Sequence, residues 1–203
     1  MAGWFGMRSW GRRSRRGGEV ETVKDFCSDI KSGGTPSRGN MEYWNSNDIP
    51  WLKTGEIKNN IISETSEFIS KKGLNNSSAK LLPKNTVLMS MYGVNAGDIG
   101  MLKIELTTNQ ACCGMICNNP YESAFLYYQL LVNQEFHRSQ SIGGAQENLS
   151  KDYIENIPFL IPNTSLIQDC HFDSIIDNRE NITKENKSLN DILDLLLSKM
   201  ASV

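Results

Sequence analysis

Between Asn163 and Val203 the chain has neither proline nor glycine, and its apolar residues return at intervals of seven. No other feature narrows the possible folds as much. Ile175, Ile182, Leu189 and Leu196 occupy one heptad position, while Phe172, Arg179, Asn186, Leu193 and Met200 occupy the matching second one. That is the spacing of a helix burying one stripe against another helix. A single helix over this stretch would extend roughly 50 Å, farther than the flank of a small domain reaches. It forms either a seam against a partner helix or a helix lying wholly on its own domain. Arg179 and Asn186 favour the seam, because polar residues at such positions select register and partner at a cost in stability. The expected dimer interface is the whole set of nine heptad residues.

The preceding residues have a different texture. With 203 residues, 39% hydrophobic and 22% charged, there is room for one well-packed domain and an appendage. The balance excludes wholesale disorder and collagen-like classes. No run approaches the roughly eighteen uninterrupted apolar residues of a membrane span, so no membrane association is expected. Arg8, Arg12, Arg13, Arg15 and Arg16 crowd into the first eighteen residues without an acid, and beyond them 16 basic residues face 23 acidic ones, a net charge of −7. Such a body is ill-suited to coating nucleic acid, because bulk affinity comes from neutralising phosphates; any DNA contact has to be local or shared with a basic partner. Residues 1–18 read as a flexible basic arm. Cys27, Cys112, Cys113, Cys117 and Cys170 make an odd count, and the arm has no apolar run of secretory type. Reduced thiols and a cytoplasmic location are expected.

From Glu19 to Pro162, short apolar runs alternate with clusters of Gly, Pro, Asn and Ser, the pattern of strands, loops and a few short helices. Ile49 to Lys53, Thr86 to Met91, Ile99 to Ile104 and Cys112 to Cys117 are the predicted strands. Glu122 to Gln134 has helical spacing of its apolar residues, and Ser150 is placed to cap a short helix through Asn156. The expected fold class is α+β: a mixed α/β domain over 19–163, then one long coiled-coil helix over 164–203.

Five segments in a fixed order resemble those of a known family. Ser32-Gly33-Gly34-Thr35-Pro36-Ser37-Arg38, with Tyr43-Trp44 and Ile49-Pro50-Trp51-Leu52 behind it, resembles the opening of the target-recognition domains of type I restriction-modification specificity subunits. Ser77-Ser78-Ala79-Lys80-Leu81-Leu82-Pro83 leading into Thr86-Val87-Leu88, then Gly97-Asp98-Ile99-Gly100 and Asn109-Gln110, are similar to the family's middle section. Gly143-Gly144-Ala145-Gln146-Glu147-Asn148-Leu149-Ser150 and Ile154-Glu155-Asn156-Ile157-Pro158 resemble its closing loop and the strand that enters its helix. The family usually carries a Glu-Gln pair early in that helix, where this chain has Ile167-Gln168-Asp169. Full-length members have two recognition domains and two helices; one of each is visible here.

The resemblance implies a specificity subunit without chemistry of its own, reading one half of a split site on double-stranded DNA. It implies docking of adenine methyltransferase (M) subunits and restriction or translocase (R) subunits. S-adenosylmethionine, ATP and Mg would belong to those partners, with no cofactor and no metal in this chain. A homodimer through the C-terminal helix would then read an inverted repeat, because a two-fold symmetric protein reads a palindrome. A truncated or silent recognition cassette, acting only as an interaction module, is the neighbouring reading. Base-edge readout needs side chains with donors and acceptors on exposed loops. Thr35, Ser37 and Arg38 supply them in one loop, Lys53 and Thr54 in a second, Tyr92 and Asn95 in a third, Gln146 and Asn148 in a fourth.

Three other patterns point to chemistry. Asp48 followed by Glu56-Ile57-Lys58 has the spacing of a metal-dependent nuclease, two acids for a cation and a lysine to assist water; this is the enzymatic alternative. Asn118-Asn119-Pro120-Tyr121 resembles the base-stacking motif of adenine methyltransferases, but reads more simply as a loop entering the next helix. Cys112-Cys113 cannot both face one metal from a strand, since adjacent side chains point to opposite faces.

Overall fold

The computed structural model describes residues 18–141 and 148–201. Its elements are β1 (Glu19–Thr22), α1 (Val23–Phe26), β2 (Asp29–Ser32), β3 (Ile49–Leu52), β4 (Ile61–Ile62), β5 (Glu67–Ile69), α2 (Lys71–Asn75), β6 (Leu81–Leu82) and β7 (Val87–Ser90). They continue as β8 (Ile99–Leu102), β9 (Leu106–Thr108), β10 (Cys112–Ile116), α3 (Pro120–Val132), α4 (Gln134–Ser141), α5 (Lys151–Glu155), β11 (Pro158–Ile161), α6 (Thr164–Asp169) and α7 (Phe172–Met200). The four strands expected from apolar runs are β3, β7, β8 and β10, each slightly shorter than its run.

Those runs are continuous because the central sheet is covered on both faces. Its order is β2-β10-β7-β8-β4. Val87, Met89, Cys113 and Met115 enter the core shared with α3, while Leu88 and Cys112 enter a second core shared with the four-stranded sheet β5-β3-β9-β6. Neighbouring residues go to opposite faces, as the period of a strand requires. Burial pushes the Cys112 and Cys113 thiols up to about 12, which leaves both as packing groups. A third cluster joins Trp51, Ile69 and Ala79 to Trp44, Ile49 and Leu74 on the four-stranded sheet.

The helices start where the chain supplies caps. Asn119 accepts the Glu122 amide at 2.9 Å ahead of Pro120 in the first turn of α3, which accounts for Asn118-Asn119-Pro120-Tyr121 as a helix start. Ser150 accepts the Tyr153 amide at 3.0 Å and begins α5. β1 pairs antiparallel with β11, Glu19 opposite Ile161, so the domain closes on itself just before α6.

The C-terminal helix differs from expectation in two respects. It is not continuous: α6 ends at Asp169, and His171 adopts a left-handed backbone with φ of 49° before α7 begins. Ile167 and Ile176 lie nine residues apart, which in a straight helix places them on opposite faces. Both nevertheless reach the core under α3, at 2% and 0% exposure; the break is what lets them do so.

The seam is also shorter. Phe172 stacks against Tyr128 with ring centroids 5.2 Å apart, and Arg179 Nη1 donates to Tyr127 Oη at 3.2 Å. Both residues, expected in a dimer interface, are held by their own domain, because α7 lies along α3 for its first two turns. Lys103 adds ion pairs to Asp177 and Glu180. From Asn181 to Ala201 every residue is exposed, so the reading of a helix lying wholly on its own domain fails over that stretch. Among the described residues no helix is long and apolar enough to cross a membrane.

Candidate nucleic-acid interface

The loop after β2 owes its path to two glycines. A methyl group at Gly33 would fall 2.1 Å from the Asn109 carbonyl, and one at Gly34 would fall 2.4 Å from the Ser78 backbone; only a residue without Cβ fits between these strand ends. The Gly33 and Gly34 amides donate to the carbonyls of Cys112 and Thr108 at 3.1 and 2.8 Å. Two indoles then fix the loop from below: Trp51 Nε1 donates to Gly34 O and Trp44 Nε1 to Ser37 O, both at 3.1 Å. Thr35 Oγ1 donates to Gln110 Oε1, in the connection between β9 and β10, at 2.6 Å. Ser37 and Arg38 are left exposed.

The Arg38 guanidinium lies over Trp44, 3.5 Å from the ring centroid, and 4.8 Å from that of Trp51. Trp44 itself meets Trp51 edge-on at 4.9 Å. Glu67, at the start of β5, joins two cations: Arg38 Nη1 at 2.5 Å and Lys53 Nζ at 2.7 Å. Burial alone would raise the Glu67 carboxyl, but hydrogen bonds and charge from Lys53 and Arg38 together hold it below the ordinary carboxylate range. The Glu67 carboxylate therefore stays ionised, and one carboxylate between two cations leaves one net positive charge.

These contacts link the predicted loops into one surface. Glu67 joins the Arg38 loop to Lys53. Thr54 sits in the 3-10 turn Thr54–Glu56, half-buried, and a methyl group at Gly55 would lie 4.0 Å from Asn95 Nδ2. Asn95 belongs to the turn Gly93–Asn95, whose neighbour Tyr92 forms an isolated antiparallel bridge with Asn148. Eight of the nine expected DNA-contacting residues thus stand in four adjoining loops, with Thr35 tied to Gln110. Gln146 lies outside the described residues, as does the arm up to residue 17. Three residues escaped the sequence reading. Glu67 and Trp44 position Arg38, and Val94 stands 91% exposed at the tip of its turn. Trp44 had a signal in its closeness to the Gly-Gly loop; Glu67 and Val94 had none.

The third loop is also held from inside. Gln134 Nε2 donates to Gly97 O at 2.9 Å and to Asn59 Oδ1 at 2.6 Å, while Asn59 Nδ2 returns a bond to Gln134 Oε1 at 2.9 Å. Tyr127 Oη donates to the Asn59 carbonyl at 3.2 Å and accepts from Arg179 of α7. Arg138 pairs with the buried Asp98. A continuous polar chain therefore runs from α7 to the base of the loop carrying Asn95.

The nuclease constellation is not assembled. Both Glu56 oxygens accept backbone amides, Lys53 N at 3.1 Å and Ser66 N at 3.0 Å, and Asp48 Oδ2 accepts the Lys71 amide at 3.3 Å. These are turn and helix-end bonds. Lys58 is exposed with a left-handed φ of 39°. Among the described residues no group of three or more His, Cys, Asp or Glu side chains is arranged to hold a metal.

The architecture agrees with what the chain resembles among known proteins. It is 27% identical over 184 residues to the type I restriction enzyme MjaIX specificity subunit of Methanocaldococcus jannaschii, covering 86% of this chain. It is 28% identical over 191 residues to the HindI specificity subunit of Haemophilus influenzae, covering 91% of this chain. It spans 41% of the length of either relative. The crystal structure of a type I restriction-modification S subunit from M. genitalium superimposes with a TM-score of 0.66 at 17% identity, over 89% of this chain and 45% of that one; this is likeness of fold. The model of the type I restriction modification DNA specificity domain matches residues 16–193, nearly the whole chain, which therefore belongs to that family.

Proposed function

We propose that this chain is a non-catalytic reader of one half of a bipartite site on double-stranded DNA. The observation that supports this most directly is the convergence of four loops, rich in hydrogen-bonding side chains, on one side of a rigid two-sheet scaffold. Arg38, Lys53, Thr54, Tyr92, Asn95, Asn148 and Ser37 are the proposed contacts, with Gln146 from the fourth loop. Thr35 serves as an anchor of the loop. The surface suits local contacts, as the acidic body requires.

The distal part of α7 pairs with a second helix of the same kind, supplied by a second copy of this chain, through Ile182, Asn186, Leu189, Leu193, Leu196 and Met200, with Ile175 at its inner end. The pair sets the distance between two recognition domains and so the spacing of two inverted half-sites. Methyltransferase subunits dock on the assembly and bring S-adenosylmethionine; restriction subunits bring ATP and Mg. Expression of the chain with a type I methyltransferase subunit, followed by single-molecule mapping of adenine methylation, tests the reading. A bipartite inverted-repeat motif dependent on this chain is the expected result; a complex that methylates no such motif would overturn it. Ile182→Glu with Leu189→Glu should yield a monomer in light scattering, and an unchanged mass would exclude the helix pair.

A further inference from the structure

We propose that Arg38 is a preset reader of a guanine edge, with Glu67 as the residue that positions it. The inference rests on the DNA-reading function above and adds a base to it.

Three observations carry it. First, the guanidinium plane is fixed on both sides of its function: its face lies 3.5 Å over Trp44 and one of its nitrogens, Nη1, is bonded to Glu67. The indole that supports it is in turn tied to the Arg38 loop through Ser37 O. Arginine normally loses much rotamer freedom on binding; here most of that loss is incurred on folding. Second, the edge formed by Nε and Nη2 takes no protein bond among the described residues, and the Arg38 side chain is 52% exposed. A two-donor edge held in a plane matches the paired O6 and N7 acceptors that guanine presents in the major groove. Third, Glu67 tempers the local charge. Arg38 and Lys53 share one carboxylate, so a phosphate meets one net positive charge here where two unpaired cations would have offered two. Hydrogen bonds to a neutral base edge depend less on that charge, so the same carboxylate that orients Arg38 weakens it more as a phosphate anchor than as a base reader.

Lys53 completes the geometry. It occupies the second Glu67 oxygen at 2.7 Å, which holds the carboxylate in place and keeps it from rotating onto the free edge of Arg38.

Selection of bound sequences from randomised duplexes by the 203-residue chain tests the assignment, with titrations of the selected duplex at two salt concentrations. Arg38→Ala, Arg38→Lys and Glu67→Gln are compared with the wild type, and thermal unfolding of each establishes that it is folded. The wild type should enrich a motif with one fixed G·C pair in each half-site. Arg38→Ala should relax that position alone, with discrimination there falling roughly 5- to 150-fold, the range that one bidentate pair supports. Arg38→Lys should relax it too, since an ammonium cannot span both acceptors. Glu67→Gln should keep the motif but weaken discrimination at the same position. If Arg38→Ala instead weakens all sequences equally and lowers the salt dependence, Arg38 is a phosphate contact and the proposal is wrong. A motif unchanged in Arg38→Ala would reduce the cluster to a loop tether. A wild-type chain that selects no motif would overturn the DNA-reading function itself.

Discussion

The two ends of α7 obey different constraints. Over its first two turns the helix is sealed against α3: Phe172 on Tyr128, Ile176 in the core, Arg179 on Tyr127. From Asn181 onward the same helix is exposed on every side, yet Leu189, Ile192, Leu193, Leu195, Leu196, Leu197 and Met200 crowd it with apolar surface. The proximal end looks like the edge of a domain, and the distal end like half of an interface. Apolar surface on that scale is retained where a partner covers it. One uninterrupted heptad pattern is thus packed at one end and bare at the other, and the change falls just beyond Arg179.

The largest expected effect separates the two ends directly. Ile176→Ala should lower unfolding free energy by about 2–5 kcal/mol, the range for emptying a sealed aliphatic site. Leu189→Ala, at 63% exposure, should change that of the monomer by less than about 0.5 kcal/mol. Urea unfolding at a concentration where the chain is monomeric measures both, and comparable losses would erase the distinction.

Acid should act on the domain and not on the projecting helix. His137 is almost fully buried, its Nδ1 is 2.9 Å from Tyr153 Oη, and burial pushes its pKa down from 6.5 to about 4. The folded chain thus keeps it neutral while the unfolded chain takes up a proton below 6.5. Its contribution to stability is complete above pH 6.5 and is lost as the pH falls towards 4, by about 3 kcal/mol in total. Glu42 and Glu67, whose pKa values are lowered, add their loss only further down, below about 4.5. Unfolding titrations from pH 7 to 4.5 should show the slope, and His137→Gln should flatten it.

Smaller effects trace the boundary itself. Arg179→Ala should cost about 1 kcal/mol, since a charge-assisted bond to Tyr127 is lost in a partly exposed setting. Amide exchange should then rise in α7 and, through Tyr127, Asn59 and Gln134, at the base of the loop that carries Asn95. Exchange confined to α7 would show that the polar chain does not couple them. Farther along, Lys187 pairs with Glu64 across two exposed side chains, and Lys187→Ala should leave the unfolding midpoint unchanged.

How much of this was legible beforehand follows the range of the interactions involved. The strands β3, β7, β8 and β10 announce themselves because each side of their sheets is buried, which makes the sequence apolar without interruption. β1, β2 and β5 contain Glu19, Asp29, Lys31 and Glu67 and gave no such signal; they are strands because partners distant in sequence complete their hydrogen bonds. The loops of the interface were recognisable as loops, from glycines, asparagines and serines, but not as neighbours. Only the order of strands in two sheets carries Lys53 to Glu67 and Gly55 to Asn95. The nuclease spacing failed for the same reason: in sequence Glu56 is an acid near a lysine, whereas in space one of its oxygens closes a turn at Lys53 and the other accepts the Ser66 amide.

The sequence by itself determined that a long amphipathic helix follows a mixed α/β domain, because periodicity and the absence of Pro and Gly are local properties that neighbouring residues express together. It also marked the cap at Ser150 and the loop entering α3 at Asn118-Asn119-Pro120-Tyr121. The tertiary structure decided the rest. The left-handed residue at His171 has no local cause and exists because Ile167 and Ile176 must reach one core from opposite faces of a helix. Likewise, which heptad residues are packed and which are bare was decided by where α7 meets α3, since a packed surface removes some positions from a pattern that, on paper, treats them all alike.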